Sequence, residues 1–172
     1  MKTLALELST SLGSLAWLDG EIEFTCEWPN DRKNSAEFFE NLQAMRKEFG
    51  APEKIIVGLG PGSYAGTRIA ISAAIGIQLS CDATLIGYPS ICAIQSDEEE
   101  YCAIGDARRK SFFFARILKN DVIEGPKLFS ELELKASLES VDPVMPVFTS
   151  ESLPQFHRAV IGFPSALILA RL

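Results

Sequence analysis

Histidine is nearly missing from this 172-residue chain. The single one, His157, lies in a polar stretch near the C-terminus, so no histidine-rich metal site can be assembled. A Ser-His-Asp triad would rest on that residue alone, with no G-x-S-x-G element beside it, and a surface loop position is its simpler reading. Paired cysteines are missing too. Cys26, Cys81, Cys92 and Cys102 show no C-x-x-C spacing and sit in or beside apolar stretches, where free cysteine acts as a small core residue. No apolar run is long: the uncharged stretch from Ile69 to Cys81 is too short to span a bilayer, and Glu7 interrupts the opening segment where a secretory signal would lie. Basic charge is in the minority, with 16 Lys and Arg against 23 Asp and Glu and a formal net charge of −7. Such a chain repels phosphate backbones at long range, which disfavours tight nucleic-acid binding on its own. These absences predict a reduced, cytoplasmic protein without a membrane segment; if it serves RNA, a partner makes most of the contacts.

What is present is globular in character. Hydrophobic residues make up 47% and charged residues 23%, enough apolar material for one sizeable core or two small lobes. Residues 3–9 are an apolar run holding one carboxylate, Glu7, and read as a buried strand; a second follows over 14–19. Asp19-Gly20 signals a hairpin, and Glu21 to Trp28 alternates polar and apolar with period two. The period then changes. Phe38, Leu42, Met45 and Phe49 fall at i, i+4, i+7 and i+11, which predicts a helix over 35–49 with Ser35 as N-cap and Gly50 as its stop. An interior strand is expected over Lys54–Leu59, a second helix over Thr67–Ser80 and a further strand over Asp82–Ile86, giving β-β-β-α-β-α-β on a mixed sheet.

The acidic run Asp97-Glu98-Glu99-Glu100 reads as a solvated turn between two lobes, since consecutive carboxylates cannot converge on one ion. Beyond it the grammar restarts: a strand over Tyr101–Gly105, a polar turn over Asp106–Lys110, and a strand over Ser111–Leu118. Val122-Ile123, a short helix over Glu131–Leu138, an edge strand over Val144–Phe148 and a terminal helix over Phe163–Leu172 complete an abbreviated second lobe.

Two segments invite a functional reading. The loop Gly58-x-Gly60-x-Gly62 with Gly66, at a strand-to-helix junction, superficially resembles a phosphate cradle. A Walker loop requires Lys-Ser or Lys-Thr after the last glycine; here Thr67-Arg68 follows, and Pro61 removes one backbone amide. A tight turn that lets strand and helix pack closely is the plainer alternative. The helix after it, Ile69 to Leu79, carries no charge and is apolar nearly all round, so it must be covered on both sides. Ala70, Ala73, Ala74 and Gly76 would let a second helix approach closely. Together with the Phe38–Phe49 stripe it is expected to present an apolar patch to a partner protein, with Phe38, Phe39, Leu42, Met45, Ile71, Ala74 and Ile75 as its residues. Full burial within the monomer is the alternative. Glu7, alone in an apolar strand, needs a partner, a shifted pKa or a solvated strand end. Asp106, Arg108 and Arg109 form an exposed turn or the lip of an anion-facing pocket.

Leu4-Ala5-Leu6-Glu7-Leu8-Ser9-Thr10, the loop Gly58-Leu59-Gly60-Pro61-Gly62-Ser63-Tyr64-Ala65-Gly66-Thr67-Arg68-Ile69, Gly87-Tyr88-Pro89-Ser90 and Ile104-Gly105-Asp106-Ala107-Arg108-Arg109 resemble, in order and interval, the TsaB (YeaZ) family of tRNA threonylcarbamoyladenosine biosynthesis proteins. The resemblance covers residues 1–118 well and the rest faintly, through Gly162-Phe163-Pro164-Ser165-Ala166. It implies an α/β fold of the actin/Hsp70/sugar-kinase-like (RNase H-like) kind in two lobes. Residues 1–98 would form a β-β-β-α-β-α lobe carrying the partner-binding helices, and 99–172 an abbreviated C-terminal lobe. It implies an inactive homologue of TsaD/Gcp-type metal-dependent proteases: a non-catalytic subunit that docks and activates the TsaD transferase, with TsaE as an ATPase partner, tRNA reached indirectly and a homodimer when alone.

The same resemblance implies no required cofactor and no metal, with weak ATP or ADP binding as the alternative. A degenerate ligand cleft would draw on Glu7, Ser9, Thr10, Gly60, Gly62, Ser63, Arg68, Asp106 and Arg108. Three departures stand out. Glu7-Leu8-Ser9-Thr10 replaces the superfamily's Asp-x-Gly-Thr phosphate signature, Asn34-Ser35 replaces the family's His-Ser, and the second lobe is short, which bears on contacts with TsaE. A weak nucleotide-binding hydrolase or peptidase-like enzyme, or a diverged paralogue with another partner, are the competing functions.

Overall fold

In the computed structural model, which describes residues 1–30 and 35–172, the opening apolar run becomes β1 (Thr3–Glu7), buried along its whole length. Short turns return the chain as β2 (Leu12–Asp19) and β3 (Ile22–Pro29), each antiparallel to its predecessor, with Leu6 opposite Leu15 and Leu15 opposite Cys26. Helix α1 (Ala36–Phe49) carries the chain to β4 (Lys54–Gly58), parallel to β1, and α2 (Tyr64–Cys81) carries it to β5 (Thr84–Tyr88), parallel to β4. The resulting sheet runs β3-β2-β1-β4-β5. It is the mixed sheet expected from the element order.

The period of two along the strands separates two cores. Leu4, Leu6, Leu15, Trp17, Ile55 and Val57 face α1 and α2. Ala5, Ala16 and Ile56 face the other way, against Ala93 of a 3-10 turn (Ser90–Ala93) and Ala166, Leu169 and Ala170 of helix α4 (Ala166–Arg171). Aromatic pairs seat α1: Phe49 lies 5.5 Å from both Trp17 and Phe24, and Phe38 lies 6.3 Å from Trp28, ring centroid to centroid.

The chain divides into two units, Met1–Ala93 with Pro164–Leu172, and Ile94–Phe163. This departs from the single boundary expected at residue 98. The terminal segment belongs to the first unit because the small-residue face of its sheet needs a cover. Ala166 N donates to Ser14 Oγ at 2.9 Å, Ser165 N to Ala93 O at 2.8 Å, and Arg171 pairs with Glu23 at 2.6 Å. The helix is also shorter than expected: Pro164 stays outside it, and Ser165 caps it by accepting from Leu167 N.

The second unit repeats the plan of the first. Its strands β6 (Glu100–Asp106), β7 (Ser111–Leu118) and β8 (Asp121–Ser130) form an antiparallel meander, then α3 (Glu131–Ser140) leads to β9 (Val147–Thr149) parallel to β6 and β10 (Ala159–Ile161) parallel to β9. The order β10-β9-β6-β7-β8 is that of the first sheet with equivalent strands in equivalent places. The abbreviation is localised: between β9 and β10, where the first unit has an 18-residue helix, residues 150–158 contain none. β8 is far longer than Val122-Ile123. The segment Val144–Phe148 is not an edge strand, since β9 lies between β6 and β10, and the strand begins only at Val147, with Pro146 O accepting from Cys102 N of β6.

Helix α3 buries Leu134 and Leu138 against Phe112, Phe114 and Phe156. A capping box starts it: Ser130 Oγ accepts from Glu133 N, and the Glu133 carboxylate accepts from Ser130 N. The Ser130 bonds hold the Glu133 carboxyl below its usual range. Ser35 occupies the corresponding position of α1, but its side chain makes no capping bond. Asn34 lies outside the described residues.

Candidate functional site

Helix α2 rests on the sheet through Gly66, Ala70, Ala74 and Ile77, all buried. The opposite side of the helix is bare. Tyr64, Arg68, Ser72, Ile75, Gly76 and Leu79 are exposed at intervals of three and four, a single line along its length. Tyr64 is 76% exposed, Ile75 43% and Leu79 82%. Beside this line α1 exposes Phe39, at 49%, edge-on to the buried Phe38 with ring centroids 4.9 Å apart. Between the helices lies a groove of about 400 Å³ lined by Phe39, Tyr64, Ala65, Arg68, Ile69 and Ser72. Arg68, the one charged residue of α2, stands over the Tyr64 ring at 5.2 Å.

This placement corrects the expected partner interface. Phe38, Leu42, Met45 and Ala74 are core residues of the first unit, 2%, 6%, 2% and 0% exposed. Their stripe is used up in seating α1 and α2 on the sheet. Ile71 is half-buried against the same core. Phe39 and Ile75 are exposed as expected, and Tyr64, Ser72 and Leu79 join them. The uncharged sequence of α2 announced an unusual helix, but a helix apolar on every side does not show which side is left over.

The glycine loop has a packing explanation. A Cβ on Gly58 would lie 1.8 Å from Glu7 Oε2, one on Gly62 2.2 Å from Ser9 O, and one on Gly66 2.0 Å from Leu8 O. Glycines spaced four apart thus let the end of β1 and the turn after it run directly beneath the loop and the first turn of α2. Its amides are largely committed: Gly60 N donates to Ser90 Oγ at 2.9 Å, Ser63 N to Ser9 O at 2.6 Å, and Gly66 N to Ser63 Oγ at 3.2 Å, while Pro61 has none.

Glu7 lies at the centre of this packing and is fully buried. Oε1 accepts from Ser9 N at 2.6 Å, whereas Oε2 and the neighbouring Ser9 Oγ have no hydrogen-bond partner among the described residues. Burial pushes the carboxyl above its usual range, opposed by the Ser9 and Ser90 hydroxyls facing it. Thr10 is buried and turns back on Leu12 through its hydroxyl. Glu7, Ser9, Thr10, Gly60, Gly62 and Ser63 are therefore brought together, with Arg68 exposed on α2. Ser90 and Gly58 complete the cluster, and neither was legible as a neighbour of Glu7 from sequence.

Asp106 and Arg108 belong to the second unit, at the β6–β7 hairpin. Asp106 Oδ1 accepts from Arg108 N at 2.6 Å, and Arg108 Nη1 lies 3.3 Å from Oδ2. Arg108, Arg109 and Lys110 all take left-handed backbone, φ 71°, 53° and 62°. Left-handed backbone at a residue other than glycine costs about 1–2 kcal/mol. His157 is exposed, and among the described residues no cluster of three or more His, Cys, Asp or Glu could hold a metal ion. Cys102 is buried, and burial pushes its thiol up to about 11. All four cysteines are free thiols. No helix among the described residues is long and apolar enough to cross a membrane.

Two units, each built on the same five-stranded mixed sheet, define an α/β protein of the actin-like class. Solved structures narrow the likeness. A Pseudomonas aeruginosa protein described as similar to the peptidase YeaZ shares 18% identity over 99% of this chain and 89% of its own, with a TM-score of 0.78. YeaZ from Pseudomonas aeruginosa shares 16% over 98% and 89%, with a TM-score of 0.76. The ethanolamine utilization protein EutJ from Carboxydothermus hydrogenoformans matches more distantly, at 10% identity over 99% and 88% with a TM-score of 0.51. At such identities the likeness is one of fold: this chain has a YeaZ-like fold. No protein-family model and no curated protein matches it.

Proposed function

We propose that the chain is a non-catalytic subunit of the assembly that makes threonylcarbamoyladenosine in tRNA, docking and activating a TsaD-like transferase. The carrying observation is the exposed side of α2. An 18-residue helix with a single charge leaves Tyr64, Ile75 and Leu79 outside the core, beside Phe39 of α1. Exposed apolar residues so aligned mark a surface that another chain covers. The YeaZ-like fold and the TsaB-like motifs support a TsaD-like protein as that chain. A homodimer through the same face when the partner is absent, and a TsaE-like ATPase as a further partner, belong to the same proposal.

The chemistry around Glu7 favours the non-catalytic role. A carboxyl sealed under a glycine loop, its pKa raised by burial, neither faces solvent nor sits beside a second acid. The competing reading, a weak nucleotide-binding hydrolase or peptidase-like enzyme, would have to use this cluster. Calorimetry with ATP and Mg²⁺ separates the two, because tight binding lost in Glu7→Ala would favour the enzyme.

The deciding experiment is complementation of a strain lacking its own TsaB, read out as the modified nucleoside in tRNA. Restoration by the wild-type chain and its loss in Ile75→Arg are expected. Full restoration by Ile75→Arg would remove the α2 face from the account, and no restoration by the wild type would remove the role itself.

A further inference from the structure

The β6–β7 hairpin is a motif of the sequence that neither the docking reading nor the packing around Glu7 uses. Its tip presents Arg108, Arg109 and Lys110 in succession, all exposed, in a chain where acids outnumber bases 23 to 16. All three residues are left-handed, with φ 71°, 53° and 62°. Glycine would adopt that backbone without strain and asparagine with little. A tight turn has no need of three long cationic side chains at positions that penalise them, and strain of this kind collects where the side chains themselves are used.

The base of the hairpin is rigid, and its acids are turned inward. Asp106 Oδ1 accepts from Arg108 N at 2.6 Å, Glu151 Oε1 accepts from Asp106 N at 2.7 Å, and Ala107 N and Ser111 N close the turn onto Ser111 O and Arg108 O at 2.8 and 3.0 Å. Arg108 pairs with Asp106, whereas Arg109 and Lys110 form no ion pair among the described residues. The tip is thus a pre-ordered pair of free cations on a fixed loop, flanked by a third that is already neutralised.

We propose that this tip is a contact for the phosphate backbone of RNA, a local exception to the acidic surface that otherwise keeps the chain away from nucleic acid. Two adjacent, exposed cations match a repeating anion. The contact is small, so it adds to binding made elsewhere and has a measurable salt dependence of its own. The choice of RNA as the anion rests on the tRNA-assembly reading proposed above, whereas the contact does not depend on the α2 docking face.

Fluorescence anisotropy of the full chain with an unmodified tRNA transcript, followed from low to physiological ionic strength, tests it. Wild-type binding should weaken with salt, and in Arg109→Gln/Lys110→Gln the slope of log K against log salt should fall by about two. Arg109→Gly/Lys110→Gly should lose RNA binding equally while melting at a higher temperature than the wild type, because the strain is gone. No RNA binding at low salt, an unchanged slope, or a glycine variant that melts lower would each overturn the proposal. So would competition by ATP or polyglutamate as effective as that by unlabelled RNA, which would make the tip a general anion site.

Discussion

The Glu7 carboxyl occupies the volume that a side chain at residue 58 would need, since a Cβ on Gly58 would stand 1.8 Å from Oε2 and 2.6 Å from Ser90 Oγ. The acid and the glycine therefore define each other. The carboxyl fits because residue 58 has no side chain, and the loop above it closes because Ser90, which faces Glu7, also accepts from Gly60 N. Gly58→Ala should destabilise the chain by about 1–3 kcal/mol through this overlap alone. Urea unfolding measures it, and Gly76→Ala is the control, since a Cβ there meets nothing within 4 Å.

The same carboxyl should make stability depend on pH. Burial raises its pKa in the folded state above the value of 4.5 expected when it is free. The folded chain then holds this proton more tightly than the unfolded chain. The contribution is complete below the free value and is lost as pH rises from there through the raised one. Glu7→Gln keeps an oxygen for Ser9 N but cannot ionise. Its melting temperature should therefore gain on that of the wild type as pH climbs from acid to neutral, with little difference at the acid end. Parallel melting profiles would show that folding leaves the proton affinity of Glu7 unchanged.

Arg158 should be the most sensitive polar position of the second unit. Nη1 donates to Leu138 O and Val141 O at 2.5 and 3.1 Å, and Nη2 to Asp142 O and Met145 O at 2.7 and 3.1 Å, so one guanidinium satisfies the carbonyls at and beyond the end of α3. Arg158→Ala removes all four bonds, leaving Asp142 O only its bond from Met145 N, and should cost about 1.5–3 kcal/mol. Arg158→Lys should recover little of it, because an ammonium cannot reproduce the planar fork. Hydrogen exchange of the α3 amides would locate the loss, and full recovery by lysine would contradict the account.

Helix α4 invites a contrast between burial and charge. Leu169 is fully buried against Ala5, Ala16 and Ile56, whereas the Arg171–Glu23 pair lies at the surface. Leu169→Ala should cost about 2–5 kcal/mol and Arg171→Ala no more than about 1 kcal/mol. Equal costs would mean that the terminal segment is tethered by its charge, with its apolar face contributing little.

Much of this architecture was legible because local signals agreed. Asp19-Gly20 and the alternation of Glu21 to Trp28 specify a hairpin by themselves, and the strand-turn-strand grammar of 101–118 repeats it. What was not legible depended on residues far apart in the chain. Pro164 to Leu172 looked like the end of the second lobe, yet its alanines match Ala5 and Ala16 of the first sheet, a complementarity no local window contains. Strand β10 is three residues long and carries no periodicity to read. At the candidate site, motif spacing identified the glycines but not their purpose, because their neighbours Glu7, Leu8 and Ser9 lie some fifty residues earlier. The hydrophobic stripe of α1 predicts an apolar face but not which surface covers it. Phe38, Leu42 and Met45 face the sheet, as the widest apolar face of an amphipathic helix does by default.

The contrast between a buried and an exposed apolar residue yields the sharpest test of the docking face. Phe38 and Leu79 are both large and apolar, but Phe38 is 2% exposed and Leu79 82%. Phe38→Ala should cost about 3–5 kcal/mol of stability, and any loss of partner binding should follow from unfolding. Leu79→Arg should leave the melting temperature nearly unchanged, since surface substitutions usually stay within about 0.5 kcal/mol. It should nevertheless weaken binding to a purified TsaD-like protein, because a charge set into an apolar contact must be desolvated without a partner. Calorimetric titration of both variants alongside melting curves separates the two effects. If Leu79→Arg binds as the wild type does, the exposed line of α2 is ordinary surface, and the partner must be sought on another face.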